Sequence, residues 1–589
     1  MDLVIRGGTV VDGTGAPPCP ADVAIREGMI VAVAPDLGDV DAARTIDATG
    51  LTITPGFIDI HTHYDGQVSW DSDIAPSCYH GVTSIVMGNC GVGFAPAKPD
   101  EHDWLINLLE GVEDIPGTAL AEGLTWDWES FPDYMDALAR RRFALDVGAQ
   151  VPHAPLRTYV MGTRGADSQA QPTPAEIAEM ARLAAEAVEA GALGFSTSRT
   201  VAHQTRAGET IGTCRAPEAE LIAIAAAIGR TGKGVIQLIS DAYLTADEAF
   251  ARAELDLVHA IARVSARPVS LTVQQTANAP RRWRMIFDWI EERRAEGLPI
   301  SAQVAIRGVG GIVGFSTNTN PFLATATWKT LAPLPRTERL ARLRDPAVRQ
   351  RILKEHEAPV DGPFGEYLAR GFHAMFRMTD PVDYEPSPAA SMLAEAQSAG
   401  RDPADYVYDV LLEEHGNRLL YFPAINYLSG DLSAVHAMLG QDYALFGLSD
   451  GGAHCGMICD ASFPTTAISL WPVGSKTGLR FSFEQMVHGY TQRSARHMGW
   501  MDRGVVAPGY VADLNLIARD ELSLPPPEVV QDLPAGGERL IQKAAGYRMT
   551  IKNGVVTVED GVLTGALPGR LVRGATAPGR PIAATPVLA

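Results

Sequence analysis

The stretch "TPGFIDIHTHYDGQ", Thr54 to Gln67, decides the fold. An apolar run ends in His61-Thr62-His63, and Asp65 follows two residues later. Along a strand, residues i and i+2 project to the same face. His61 and His63 are therefore expected side by side at the end of a buried strand. Two neutral imidazoles so placed make half of a metal site.

Reading outward, seven further short apolar runs alternate with helical patterns. They are "SIVMGNCG" (84–91), "DVGAQVPHA" (146–154), "ALGFSTS" (192–198), "GVIQLIS" (234–240), "PVSLTVQQ" (268–275), "SAQVAI" (301–306) and "YALFGLSDGG" (443–452). With "GFIDIHTH" (56–63) they give eight βα units, the pattern of a parallel (β/α)8 TIM-like barrel with its reactive groups on the C-terminal strand ends. A doubly wound sheet is the runner-up. It would favour a glycine-rich phosphate loop, and neither G-x-G-x-x-G nor a Walker A pattern occurs. The clearest helix starts at Pro174, with Thr173 as cap, Glu176 closing a capping box and Gly191 as stop. A second is read in "RRWRMIFDWIEERRAEG" (281–297).

Both chain ends read differently. "LVIRGGTVVDGTG", "ADVAIREGMIVAVAP" and "YRMTIKNGVVTVEDGVLTG" are short β runs broken at "REG", "KNG" and "EDG", which are hairpin turns. The expectation is a small β-sandwich built jointly from 1–54 and 504–577, around a barrel spanning 55–503. The roughly 140 residues between strands seven and eight are too long for a structureless loop and predict an insertion at about 307–442.

Composition limits the function. The chain has 589 residues, 46% hydrophobic and 20% charged, with a net charge of −21. That balance argues against nucleic acid or an anionic membrane surface as the partner. The N-terminus lacks the basic-then-apolar pattern of a signal peptide, and no long uncharged apolar stretch occurs, so a cytoplasmic protein with no membrane segment is expected. The six cysteines are sparse and read as thiols; the Cys455/Cys459 spacing is a weak zinc signal.

A metal needs more ligands than His61 and His63. "SDGGAH" places Asp450 at the end of strand eight, beside strand one in a closed barrel, and "GNCG" places Cys90 at the end of strand two. Two glycines and an asparagine fill no core; they suit a tight polar turn.

These segments, with "VIRGGTVVDGTG", "GVTSIVMGNCGVGFAP", "GALGFSTS" and "DRGVVAPGYVADLNL", resemble in order and spacing the amidohydrolase superfamily, and more narrowly its N-acyl-D-amino-acid deacylases (D-aminoacylases). The resemblance implies a zinc enzyme cleaving the amide of a D-amino acid. His61 and His63 match the first-strand ligands, Cys90 the bridging thiolate, and Asp450 the aspartate that binds metal and shuttles protons. It departs twice. Gln237 in "VIQLISD", and Val273, Gln274 or Gln275 in "SLTVQQTAN", stand where that family carries histidines. One zinc ion held by His61, His63, Cys90 and Asp450 is therefore expected; a second, on Cys90 and Gln237, is left open.

The expected substrate is a small carboxylate-bearing amide, attacked by metal-activated water with Asp450 as proton carrier. Candidate substrate contacts are Arg199 and Arg307, either of which has the fork for a carboxylate, with His203, Gln237, Gln274, His454 and His153. Two alternatives stay open: a different C–N bond (cyclic amide, carbamate or small peptide), or an inactive barrel serving as a binding or scaffold protein. A homo-oligomer is also left open.

Overall fold

The structure is a computed structural model and describes residues 1–578. Among the described residues, eight parallel strand positions form the barrel: Phe57–Asp59, Val82–Met87, Asp146–Ala149 continued by Val151–Pro152, Gly194–Arg199, Val235–Ser240, Val269–Thr272, Ile300–Val304 and Ala444–Phe446. Each pairs in parallel with the next in that order, from strand one to strand three and from the Val151–Pro152 extension to strand eight. The ring closes where His63 N–H donates to the Gly451 carbonyl (2.8 Å) and Asp450 N–H to that of His61 (3.2 Å). Strands one and eight are thus neighbours, which brings the first and last site segments together.

Several predicted strands prove shorter than read, the first and the eighth among them. Strand eight ends at Phe446, because Leu448 and Asp450 adopt left-handed backbone (φ 59° and 48°) that no strand tolerates. Strand one proper ends at Asp59, but Thr62 still pairs with Gly451, so the alternation carries through the histidines. Between strands, the helix at Pro174–Glu189 forms as its signals dictate, with Thr173 Oγ1 accepting from Glu176 N–H.

Both chain ends share one sheet of nine strands among the described residues. The join is Thr52–Pro55 against Leu514–Ile517, antiparallel. The hairpin turning at Asn553-Gly554 has both residues at positive φ (50° and 73°), the geometry Asn-Gly supplies. Leu3, Ile5, Val23, Ile53, Leu514, Leu516 and Ile551 close its apolar side. Buried Lys552 fastens this sheet to the barrel. Its Nζ lies 2.6 Å from Asp146 on strand three and 2.7 Å from Asp513, while Arg503 reaches Asp146 at 2.7 Å.

Between strands seven and eight the chain forms a three-stranded antiparallel sheet (Val309–Val313, Phe376–Arg377 and Leu420–Ile425) and, among the described residues, seven α-helices. This segment has its own buried cluster, including Phe315, Phe322, Trp328 and Tyr408. No helix of the described residues is long and apolar enough to cross a membrane.

Candidate metal centre

His61 and His63 do lie side by side, with ring centroids 5.5 Å apart. Their ligand nitrogens and Cys90 Sγ lie within 4.8 Å of one another, the one such group of metal-competent atoms among the described residues. Cys90 Sγ is 3.3 Å from His61 Nε2. Asp450 Oδ1 stands 3.4 Å from His61 Nε2 and 3.6 Å from His63 Nε2. The four groups come from strand ends one, two and eight.

The loops that present them are strained. Cys90 (φ 54°), Asp450 (φ 48°) and His454 (φ 49°) all occupy left-handed backbone. Such conformations cost on the order of 1–3 kcal/mol each and persist where the surroundings over-determine them. Around Cys90 those surroundings are visible. Asn89 Nδ2 donates to the Thr62 and Val86 carbonyls, and Gly91 N–H to Ser196 Oγ. A Cβ on Gly88 would meet the Gln150 carbonyl oxygen at 2.2 Å, so the glycine is obligatory. Asp65, which follows the histidines, accepts the Gly88 N–H (3.1 Å) and so braces this turn.

The partners of the ligands set their chemistry. Gln303 Oε1 lies 2.5 Å from His61 Nδ1, and Gln303 Nε2 donates to Ser270 Oγ, which orients the amide. A carbonyl oxygen accepts only, so His61 carries its proton on Nδ1 and turns the Nε2 lone pair toward Cys90 and Asp450. Burial pushes the His61 pKa down to about 4, which keeps the ring neutral. Burial likewise pushes the Cys90 thiol up to about 11, against the pull of His63. Burial would also raise Asp450, yet the hydrogen bond from His63 and the charge of that ring hold it below the usual carboxylate range. Beneath the site, Asp59 accepts the His61 N–H (3.2 Å) and the Ser449 hydroxyl, tying strand one to the strand-eight loop.

The other sequence candidates separate into two groups. His454 and His203 lie near the centre. His454 Nε2 is 3.7 Å from Glu113 Oε2. His203 Nδ1 bonds Ser198 Oγ at 2.9 Å, and burial with the nearby His63 and His454 charges pushes its pKa down to about 3. Gln237 also faces inward, but its Oε1 accepts the Cys90 N–H (2.9 Å), so the oxygen expected to reach a second ion is occupied; its Nε2 is buried without a partner. Gln274 is buried with Oε1 free.

The two arginines and His153, read as candidate substrate contacts, are engaged by partners within the protein. Arg199 points its fork at Glu254 (2.8 and 2.7 Å). Arg307, 1% exposed, pairs with Asp460 at 2.8 Å and lies over the Tyr384 ring. The Arg199 fork is thus spent on Glu254, and its third nitrogen donates to the Ala216 carbonyl. His153 is buried with its nitrogens on Thr197 and Glu220, both at 2.8 Å. Sequence reading also missed Gln303 and Glu113. The alternation of "SAQVAI" would have faced Gln303 inward, whereas Glu113, at the end of helix His102–Glu113, carries no motif.

A family model described as amidohydrolase family matches residues 44–558. The chain belongs to the amidohydrolase family. It is 38% identical over 217 residues to a D-aminoacylase of Alcaligenes xylosoxydans xylosoxydans, covering 36% of this chain and 42% of that protein. It is 41% identical over 201 residues to an N-acyl-D-glutamate deacylase of the same organism, covering 33% and 37%. The matched stretches thus span about two fifths of these relatives' length. Among solved structures, a D-aminoacylase studied for the role of its binuclear metal centre aligns with a TM-score of 0.62 at 25% identity, covering 97% of this chain and 99% of that one.

Proposed function

We propose that the protein is a zinc-dependent hydrolase of the amide bond of N-acyl-D-amino acids. The observation that carries the reading is the grouping of His61, His63 and Cys90 at the barrel mouth, with Asp450 set against both rings, in a chain whose relatives include a D-aminoacylase. Two imidazoles, a thiol and a carboxylate are the donor set zinc favours. When bound there, zinc supplies Lewis acidity, polarising the amide carbonyl and making water acidic enough to attack near neutral pH.

The chain's own residues do the rest. Asp450, ionised and fixed between the two rings, takes the proton of the attacking water and returns it to the leaving nitrogen. His203, neutral and bonded to Ser198, offers its second ring nitrogen to the substrate. Gln237, with its oxygen spent on Cys90, presents its amide N–H groups to the mouth rather than a metal-binding carbonyl, and this favours a single ion. The strand-four loop supplies the cation for the substrate carboxylate, since Arg206 in that loop is 69% exposed and holds only a surface pairing with Glu110. The protein acts in the cytosol on small molecules.

Turnover of a panel of N-acetyl-D- and N-acetyl-L-amino acids, with cyclic amides and carbamates beside them, tests the reading. Hydrolysis confined to the D-series, abolished by chelation and restored by zinc, is expected. Hydrolysis of cyclic amides alone refutes the substrate assignment, and zinc-independent turnover refutes the mechanism.

A further inference from the structure

The helix His102–Glu113 ends in two acidic residues, Glu113 and then Asp114 at φ 49°. The C-terminal carbonyls of a helix already carry partial negative charge, so a carboxylate is disfavoured there. Glu113 is in addition 2% exposed, and a buried carboxylate persists where something compensates it. Two imidazoles face it. Glu113 Oε1 lies 3.2 Å from His63 Nδ1, an ion-pair distance short of hydrogen-bond alignment, and that nitrogen has no other hydrogen-bond partner. Oε2 lies 3.7 Å from His454 Nε2, and the Glu113 main-chain carbonyl accepts the His454 N–H.

We propose that Glu113 is a positioning residue of the metal centre, which holds the proton of His63 on Nδ1, leaves Nε2 toward Asp450 and the cation, and anchors His454 over the mouth. The inference rests on the reading of His61, His63, Cys90 and Asp450 as a zinc centre. A carboxylate behind a ligating imidazole fixes its tautomer and ring orientation and raises its basicity. Here that carboxylate is delivered by a helix end outside the barrel strands, so the segment between strands two and three is part of the metal centre's support. The local conflict between Glu113 and the helix end is resolved by the two rings it faces.

The test is zinc affinity, measured on the full-length protein by competition with a chromophoric chelator, with no substrate present. Glu113→Ala is expected to raise the zinc dissociation constant about 10- to 100-fold and Glu113→Gln by less. Glu113→Gln keeps the shape of the side chain, and its metal-free form is expected to melt cooperatively, so that its zinc affinity is read on a folded protein. Affinity within twofold of the parent in both variants, with zinc binding abolished in His61→Ala, overturns the inference and leaves the metal centre standing. If Glu113→Ala does not fold, Glu113→Gln decides alone: affinity within twofold, or loss of its cooperative metal-free melting, overturns the inference. A parent protein that binds zinc but hydrolyses no N-acyl-D-amino acid refutes the proposed substrate and not the role of Glu113. A parent that binds no zinc overturns both.

Discussion

Replacing Gln303 by leucine removes the acceptor that sets the tautomer of His61. Gln303 Oε1 is 2.5 Å from His61 Nδ1, and His61 is 1% exposed, so no solvent stands ready to take over. In the metal-free variant the ring has an escape, since the proton can move to Nε2 and point at Asp450 Oδ1, 3.4 Å away. Metal binding closes that escape, because Nε2 must then present its lone pair and the proton returns to an unpartnered Nδ1. A buried donor left unpaired costs about 1–3 kcal/mol. At about 1.4 kcal/mol per tenfold, the zinc dissociation constant should rise about 5- to 150-fold. Gln303→Glu keeps an acceptor at the same place and, being charged, should hold zinc at least as tightly as the parent. Chelator competition measures both, and kcat/KM at limiting zinc should follow the same order. An affinity for Gln303→Leu equal to that of the parent, or a loss as large in Gln303→Glu as in Gln303→Leu, refutes the reasoning.

Lys552→Met removes the one ammonium between Asp146 and Asp513. Leaving a buried carboxylate without its partner should cost about 3–5 kcal/mol, read by urea denaturation. The same pairs predict a pH dependence. Burial would raise Asp146, but Lys552 and Arg503 hold its pKa below the usual carboxylate range. Its contribution to stability is therefore complete above about pH 4, the ordinary carboxylate value, and is lost as pH falls through the lower folded value. The stability gap between parent and Lys552→Met should accordingly shrink below pH 4, and a gap that widens there contradicts the assignment. Arg199→Ala should lower stability while leaving KM for a carboxylate substrate within about twofold, because its fork is spent on Glu254; a KM rise above tenfold would return it to the substrate site. Gly88→Ala should abolish zinc binding before it unfolds the barrel, because its Cβ would drive the Cys90 turn off the Gln150 carbonyl; circular dichroism with zinc titration reads both.

Much of this architecture was legible along the chain because it rests on local periodicity. The eight strand positions follow from apolar runs set between helical patterns, and the pairing of His61 with His63 from the two-residue repeat of a strand. Asn553-Gly554 announces its own turn. What stayed hidden depends on contacts between distant segments. Arg199 reads as a free cation until Glu254, 55 residues on, is folded against it. Arg307 meets Asp460 across the whole insertion, and His153 meets Glu220 across a helix and a strand. The end of strand eight was misplaced because left-handed backbone at Leu448 and Asp450 is imposed by the closing of the barrel and not by those residues' own preferences. Glu113 is the extreme case: its helix gives no hint that its last residue looks into the metal centre, since only the fold brings His63 and His454 to it.

The zinc K-edge absorption spectrum of the loaded protein addresses the centre itself most directly. It should show one sulfur at about 2.3 Å and two imidazole nitrogens at about 2.0–2.1 Å, with oxygen completing the shell. The sulfur should vanish in Cys90→Ser, and His61→Ala should take up no zinc. A shell with neither sulfur nor imidazole scattering, or one unchanged by both substitutions, would contradict the site described.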